Sequence, residues 1–344
     1  GPRGAMVMLV RIVNREETSM AFALHPELVP VIARRMAAGP PPPPAERGDW
    51  RRLRADGEAG LAAVEAELPQ FADVGRREFT ATSHDGARVP LRWYTPPQSG
   101  ETQSGETPEQ PGPAVVHLHG GGMILGSVQL FDRTVAGYVA ESRVPMLAVD
   151  YRRAPEHPHP APVEDCWAGL AWLAEHAAEL GVDPARIAVM GDSAGGGLAA
   201  GTALLARERG VELARQILVY PMLDDRNTRP DPVLAPYTGW NWDYNHTAWH
   251  ALLGDAVGAP DVPCAAAPAR ADDLTGLPTT YIEVGELDIF RDESLDYARR
   301  LTAAGVSTEL HLHPGCPHGF DRLAPAADIV RRSRADRIRT LRSL

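Results

Sequence analysis

Residues 186–197 read Arg-Ile-Ala-Val-Met-Gly-Asp-Ser-Ala-Gly-Gly-Gly, and the rest of the sequence can be interpreted outward from them. A short apolar run leads into Gly191-x-Ser193-x-Gly195 and then into an alanine-rich stretch, which predicts a strand, a tight turn and a helix. Serine on such a turn points outward, because glycine two residues to either side lets the strand and the helix approach closely. The following helix aims its N-terminus at the same point, where negative charge is favoured. Ser193 is therefore a candidate nucleophile, although a glycine-rich turn without chemistry shows the same short pattern.

A second glycine run, 119–123, reads His-Gly-Gly-Gly-Met and ends an earlier apolar stretch. Its last glycine, Gly122, precedes Ser193 by 71 residues (193 − 122). Consecutive glycines leave backbone N–H groups free to face an oxyanion, which the tetrahedral intermediate of acyl transfer requires. Alone, the run is equally typical of a phosphate-binding or a flexible loop. Its occurrence together with the serine motif favours acyl transfer.

A serine nucleophile needs a base, and the base needs an orienting carboxylate. In the chain order serine, acid, histidine, each partner follows a predicted strand, and Asp288 and His318 lie in such loops. Three other carboxylates, Glu286, Asp292 and Glu293, are near enough to compete with Asp288. Asp292 and Glu293 suit the first turn of the next helix, where carboxylates are stabilised by the helix dipole, so Asp288 is the preferred acid.

Around these motifs, short apolar strands alternate with helical patterns. The predicted strands are 114–119, 146–150, 187–190, 216–220, 279–284 and 308–313. The predicted helices lie near 131–141, 163–180, 194–209 and 292–304, with a last helix from 326 to the end. Nearly continuous apolar strands separated by helices predict an α/β fold with a mostly parallel sheet flanked by helices.

The first part of the chain has a different pattern. Residues 1–75 carry no strand signal and predict helices at 26–38 and 57–68, so they are interpreted as a helical cap segment, with 1–5 as an expression remnant. Runs at 78–83 and 89–94, joined by an Asp-Gly turn, predict an antiparallel hairpin at a sheet edge. The low-complexity stretch 96–113, with its tandem repeat, predicts a solvated and mobile loop.

Composition excludes several chemistries. All 34 basic residues are arginine, so a lysine Schiff base, a P-loop lysine and a Ser-Lys pair are impossible. A net charge of −11 disfavours nucleic acid as a partner. Three separated cysteines and the absence of a long apolar run predict a cytoplasmic protein without a membrane span.

Histidine pairs at 117/119, 157/159 and 311/313 raise the alternative of a zinc hydrolase. No HxHxDH or HExxH pattern accompanies them, so no metal and no cofactor is predicted. The arginines of the last helix, six between 331 and 342, are interpreted as a solvated face.

Taken together, five motifs resemble the hormone-sensitive-lipase-like esterases, the bacterial family IV carboxylesterases, in the subgroup with GDSAGG at the nucleophile. They are HGGG at 119–122, DYRRAPEHP at 150–158, GDSAGG at 191–196, LDIFRDE at 287–293 and HGF at 318–320. The resemblance implies an α/β-hydrolase fold, with a catalytic domain over 76–344 and a helical cap formed by the N-terminal segment and an insertion at about 222–255. Two departures are Arg153, where leucine is common, and Met123, where an aromatic residue is frequent.

The resemblance also implies roles for individual residues. Ser193 would be the nucleophile, His318 the base and Asp288 the orienting acid. The N–H groups of Gly121, Gly122 and Ala194 would form the oxyanion hole, with His119 as a structural support of that loop. It also favours a homodimer through the edge strand and the last helix.

Substrate choice is expected to depend on the insertion, which is rich in aromatic residues. Met123, Asp192, Tyr237, Trp240 and Trp242 are candidate pocket residues, although these aromatic side chains serve equally as core of a cap helix. The predicted reaction is hydrolysis of short-chain or small aryl and alkyl carboxylic esters through an acyl-enzyme. The alternatives are a non-catalytic binding module of the same fold, and a metabolite deacetylase or lactonase using the same three side chains.

Overall fold

The computed structural model describes residues 22–37, 43–97 and 110–344. The strands are β1 Gly75–Thr82, β2 Arg88–Thr95, β3 Gly112–Leu118, β4 Met146–Val149, β5 Val182–Asp192, β6 Arg215–Val219, β7 Thr279–Gly285 and β8 Thr308–His313. The helices are α1 Val29–Ala37, α2 Trp50–Glu67, α3 Asp132–Ser142, α4 Ala161–Glu175, α5 Ala177–Leu180, α6 Ala194–Glu208, α7 Trp242–Leu253, α8 Arg291–Ala303, α9 Phe320–Leu323 and α10 Asp328–Arg342. The predicted remnant at 1–5 and most of the predicted loop at 96–113 lie outside the described residues.

The strands form one sheet in the order β1-β2-β4-β3-β5-β6-β7-β8. β1 and β2 pair as the predicted antiparallel hairpin at one edge, and β2 also runs antiparallel to β4. From β4 through β3 to β8 every neighbouring pair is parallel. The prediction of an α/β fold with a mostly parallel sheet is therefore confirmed, and the carboxyl ends of the parallel strands meet at one edge.

The middle of the sheet is buried, because the carboxyl-terminal parts of its central strands are mostly apolar. Residues 114–118 of β3 are all buried, and so are residues 187–192 of β5. Helix α6 packs closely on these strands because it begins with small residues. A Cβ on Gly195 would overlap the carbonyl oxygen of Leu118, and a Cβ on Gly191 would overlap that of Gly195. Glycine at these two positions is what lets the strand, the turn and the helix come together.

Two predicted helices differ most from those in the structure. Helix α2 begins at Trp50 rather than at Gly57, because the side chain of Asp49 caps it by accepting from the N–H of Arg52 at 3.0 Å. Gly57 is accommodated inside the helix instead of starting it. The predicted helix 163–180 is divided at His176 into α4 and α5.

The last helix is not a uniformly solvated face, so that interpretation is wrong for one residue. Arg337 is 2% exposed, and it lies in register with Val330, Ser333 and Leu341, which are also buried. Residues spaced by three or four positions share one side of a helix, which places Arg337 on the side that faces the core. The other arginines of α10 are exposed or half-buried.

The N-terminal helices contact both the core and the chain between β6 and β7. Arg153, one of the two departures from the family pattern, donates to Glu58 of α2 at 2.5 Å. Gly48 donates its N–H to Thr247 of α7 at 2.8 Å, and Tyr237 donates its hydroxyl to the carbonyl of Phe22 at 2.6 Å. The N-terminal segment and the insertion therefore pack together, and the predicted domain limits stay predictions. No helix in the described ranges is long and apolar enough to cross a bilayer.

Two glycines of α2 provide a test of how this helix meets the core. A Cβ on Gly60 would meet nothing within 4 Å, whereas a Cβ on Gly57 would lie 2.6 Å from Cδ2 of the buried Leu125. We expect Gly60→Ala to raise the free energy of unfolding by about 0.5–1 kcal/mol, because alanine is favoured in a helix interior. Urea denaturation measures this difference. Gly57→Ala is the matched control and should gain less or lose stability; equal gains at both positions would contradict this packing.

Candidate active site

Ser193 lies on a sharp turn between β5 and α6. Its backbone has φ 57° and ψ −120°, which an L-residue rarely adopts. Three backbone hydrogen bonds hold it there: the N–H of Ser193 donates to Val219 at 2.8 Å, and its carbonyl accepts from Gly197 at 3.0 Å and Met222 at 2.9 Å. The turn directs the hydroxyl away from the sheet, and the residue remains 7% exposed.

The structure brings Ser193, His318 and Asp288 into one hydrogen-bonded chain. Oγ of Ser193 lies 3.0 Å from Nε2 of His318, and Nδ1 of His318 lies 2.6 Å from Oδ2 of Asp288. Asp288 follows β7 and His318 follows β8, so three parallel strands deliver the three side chains to the same edge. The Asp288 carboxyl is fully buried, and its other oxygen accepts from the N–H of Phe290 at 2.9 Å. This geometry suits a base that removes a proton from serine while a fixed carboxylate orients it.

The three competing carboxylates are engaged elsewhere. Glu286 accepts from the N–H of Gly315 at 2.8 Å, and Asp292 pairs with Arg291 at 2.7 Å. Glu293 is buried and accepts from the N–H of Leu223 at 2.6 Å. Burial raises the pKa of Glu293 well above its usual value. None of these contacts involves His318, so the side chain in contact with it is Asp288.

The glycine loop lies beside Ser193. Gly121 has φ 120° and Gly122 has φ 59°, and a Cβ on Gly121 would overlap the carbonyl of Leu125, so glycine is required. The N–H groups of Gly121 and Gly122 donate to no acceptor within residues 22–37, 43–97 and 110–344. Ala194 is the first residue of α6, where a helix leaves its N–H without an intrahelical acceptor. Such free amides are what an oxyanion needs.

His117 in β3 and His119 at the start of this loop are both buried. Nδ1 of His119 lies 2.8 Å from the carbonyl oxygen of Gly120, and the ring stacks on Tyr151 at 4.2 Å between centroids. Burial lowers the pKa of His119 to about 4 and that of His117 to about 3. Both imidazoles are therefore neutral at physiological pH.

The other histidine pairs do not converge on a shared site. Within the described part of the chain, the one group of side chains with metal-ligand spacing is Glu309, His311 and Asp336. Arg339 also pairs with Glu309 and Asp336. A guanidinium among these groups opposes a divalent cation.

The five candidate pocket residues occupy different surroundings. Met123 is 1% exposed within the core. The carboxylate of Asp192 lies 3.3 Å from Arg322 and lines a cavity of about 230 Å³, whose walls include neither Ser193 nor His318. Burial raises the pKa of Asp192.

The three aromatic candidates also contact different parts of the protein. Tyr237 is buried against the N-terminal segment, and Nε1 of Trp242 donates to Asn227 at 2.9 Å. Trp240 lies directly over the glycine loop, and a Cβ on Gly122 would overlap its ring. Of these side chains, Trp240 is the one in contact with the loop beside Ser193.

Two residues that sequence reasoning missed flank His318. The ring centroid of Tyr220 lies 4.8 Å from the imidazole and that of Phe290 lies 5.1 Å from it, both edge to face. Tyr220 was predicted only as the end of a strand, and Phe290 only as part of the motif around Asp288. Their spacing in the sequence carries no signal, because the contact is made across three strands.

Cys316 is two residues before His318, and its environment predicts an inert thiol. It is fully buried, and burial raises its pKa to about 12, so the thiol stays protonated at mildly alkaline pH. We expect N-ethylmaleimide to label the half-buried Cys264 in the native protein before Cys316 or the buried Cys166. Mass spectrometry of labelled peptides checks this, with the unfolded protein as the control in which all three react. Fast labelling of native Cys316 would contradict the prediction.

Known proteins match this chain over most of its length. A family described as alpha/beta hydrolase fold matches residues 115–322. Carboxylesterase NlhH of Mycobacterium tuberculosis is 39% identical over 267 residues, covering 75% of this chain and 81% of that protein. Ethyl acetate hydrolase of Pseudomonas putida is 31% identical over 307 residues, covering 88% and 93%. A solved bacterial heroin esterase superposes with a TM-score of 0.82 at 38% identity, covering 95% and 99%. The chain therefore belongs to the hormone-sensitive-lipase-like, family IV carboxylesterases of α/β-hydrolase fold.

Proposed function

We propose that the protein is a serine carboxylesterase that hydrolyses small carboxylic esters through an acyl-enzyme intermediate. The observation that carries this proposal is the chain from Ser193 to His318 at 3.0 Å and from His318 to Asp288 at 2.6 Å, with Ser193 held on its strained turn. Membership of the carboxylesterase family supports the same reaction.

In the first half of the reaction, Oγ of Ser193 attacks the ester carbonyl while Nε2 of His318 takes the hydroxyl proton. The carbonyl oxygen becomes an oxyanion, which accepts from the N–H groups of Gly121, Gly122 and Ala194. Asp288 stabilises the imidazolium without taking its proton. Collapse of the intermediate breaks the bond to the alcohol, which leaves with the proton from His318.

In the second half, His318 removes a proton from water as the water oxygen attacks the acyl-serine. The same amides hold the second oxyanion, and its collapse releases the carboxylic acid. The proton on His318 returns to Oγ of Ser193. No cofactor or metal enters any of these steps.

The covering of the site supports small esters as substrates. Ser193 is 7% exposed, the side chain of His318 is 12% exposed, and the ring of Trp240 covers Gly122. A narrow approach of this kind favours short acyl or small aryl groups over extended chains.

The predicted homodimer and cytoplasmic location are part of this proposal. Leu310 and Leu312 are 39% and 42% exposed on the same side of the edge strand β8, which supports the predicted homodimer because an open edge with apolar side chains favours association. A cytoplasmic location stays a prediction from the cysteine content.

Ser193→Ala is expected to lower kcat/KM for p-nitrophenyl butyrate by at least about a thousandfold, because no other side chain replaces the nucleophile. The melting temperature should stay close to that of the wild type. A metal chelator should leave the wild-type rate unchanged. Full activity in Ser193→Ala would exclude the serine mechanism.

Asp288→Asn and Glu286→Gln form a matched pair of neutralised carboxylates two residues apart. We expect Asp288→Asn to lower kcat by up to about ten-thousandfold, because the amide favours the wrong imidazole tautomer. Glu286→Gln keeps an oxygen that accepts from Gly315, so its kcat should stay near the wild-type value. Steady-state kinetics distinguish the two, and an equal loss in both variants would reject Asp288 as the orienting acid.

Trp240→Ala is expected to shift acyl selectivity, because it removes the ring that lies against Gly122. The ratio of kcat/KM for a bulky acyl ester to that for the acetate should rise about tenfold. A series of p-nitrophenyl esters of increasing chain length measures it. Trp172→Ala is the control, since Trp172 is also half-buried but packs on Phe79 at 4.7 Å, away from the site. The same change in ratio in both variants would contradict the role of Trp240.

A further inference from the structure

His318 depends on its neighbours for its orientation. It lies in the loop between β8 and α9 and is followed by Gly319, whose φ is 66°, so the local backbone does little to fix the ring. Both imidazole nitrogens must stay aligned, because a rotation that moves Nε2 from Ser193 also moves Nδ1 from Asp288. Two rings meet the imidazole edge to face, Tyr220 at 68° and Phe290 at 87° between planes. Phe290 belongs to the same loop as Asp288, whereas Tyr220 directly follows β6, the strand beside β5.

Tyr220 is itself held from several directions. It is 2% exposed and has φ 36°, in the left-handed region that a tyrosine rarely adopts. Its N–H donates to the carbonyl of Glu283 at 2.6 Å, and its hydroxyl donates to Oδ1 of Asp321 at 3.0 Å. Strained residues persist only where the surroundings fix them, and they cluster at functional sites.

The hydroxyl contact continues into a buried ionic network. Arg337 of α10 donates to Oδ2 of Asp321 at 2.7 Å, to the hydroxyl of Tyr138 at 2.8 Å, and to Glu283. Burial alone would raise the pKa of Asp321, but the Arg337 and Arg322 guanidiniums hold it below its usual value. Asp321 is therefore an ionised acceptor for Tyr220, and Arg337 connects this acceptor to β7, the strand that precedes Asp288.

We propose that Tyr220 is a positioning residue for His318, and that Asp321 and Arg337 fix the Tyr220 ring so that the last helix helps to orient the general base. The inference rests on the proposed function, in which His318 is that base. Tyr220 makes no proton transfer itself. Its effect should appear in turnover more than in substrate binding, because misalignment of a reacting group raises the barrier of the chemical step.

Tyr220→Leu removes the ring and the hydroxyl, and Tyr220→Phe removes the hydroxyl alone. We expect kcat of Tyr220→Leu to fall about tenfold to a hundredfold with little change in KM, and Tyr220→Phe to recover much of that loss. The far-downfield NMR resonance of the proton between His318 and Asp288 should weaken or broaden in Tyr220→Leu.

Tyr281 offers a matched control on the neighbouring strand. It is equally buried, and its hydroxyl donates to Glu283 of the same network at 2.6 Å, but its ring faces His311. Tyr281→Leu and Tyr281→Phe should lower the melting temperature much as the Tyr220 variants do, while kcat of the folded enzyme and the downfield resonance stay near those of the wild type.

The possible results distinguish failure of the proposed ester hydrolysis from failure of the positioning role of Tyr220. A wild-type protein without ester hydrolysis would refute the proposed function itself. Active wild type together with a folded Tyr220→Leu of unchanged kcat would overturn the positioning role. If Tyr220→Leu does not fold, the phenylalanine pair gives the answer: a lower kcat in Tyr220→Phe than in Tyr281→Phe supports the role, and equal values overturn it.

Discussion

The backbone at Ser193 is confined to φ 57° and ψ −120°, and most of the active-site architecture follows from holding it there. Such a conformation costs about 1–3 kcal/mol for a residue other than glycine, so it persists only where the surroundings enforce it. Hydrogen bonds from the strand side and from the helix side meet at this one residue. The turn also requires glycine at positions 191 and 195, because any side chain there would overlap the backbone.

Residues with positive φ also follow the two strands that neighbour β5. Met123, after β3, has φ 60°, and Tyr220, directly after β6, has φ 36°. Because β3 and β6 are the neighbours of β5, three adjacent strands lead into chain reversals at the same edge. The reversal after β3 brings the glycine amides beside the serine, and the reversal after β6 brings a ring beside His318. Each of these three strands is therefore followed by a residue with a strained backbone. Such residues cluster at functional sites.

Much of the fold and part of the site could be predicted from local patterns. Runs of strand length located the parallel strands along the chain but not their order in the sheet, and β8 begins and ends at the predicted residues because Gly305 precedes it and Pro314-Gly315 follows it. Ser193 follows β5 directly, and Asp288 and His318 lie in the loops after β7 and β8, so position along the chain grouped these candidates. The choice of Asp288 among neighbouring carboxylates also needed the argument from the helix N-terminus. The sequence left pocket and core open for Tyr237 and Trp242, because no local spacing encodes their contacts: Nε1 of Trp242 donates to Asn227, and the hydroxyl of Tyr237 donates to the carbonyl of Phe22. Arg337 could have been found from its register with Val330 and Leu341 in α10, had helical spacing been applied as well as charge.

Arginine is the only basic residue type in this chain, and it makes buried hydrogen bonds as well as surface contacts. Arg270 donates to both carboxylate oxygens of the buried Asp225, at 2.6 and 2.9 Å. Asp225 lies near the start of the segment between β6 and β7, and Arg270 lies near its end, so the pair connects the two ends of that segment. Arg337 donates to three different partners at once. A planar guanidinium with five donors can satisfy such sets, whereas a lysine ammonium offers a single point of charge. Burying these pairs costs desolvation that offsets much of their attraction, so their main effect is on geometry rather than on net stability. In this chain that geometry fixes where α10 docks, and through Asp321 and Tyr220 it reaches the imidazole of His318.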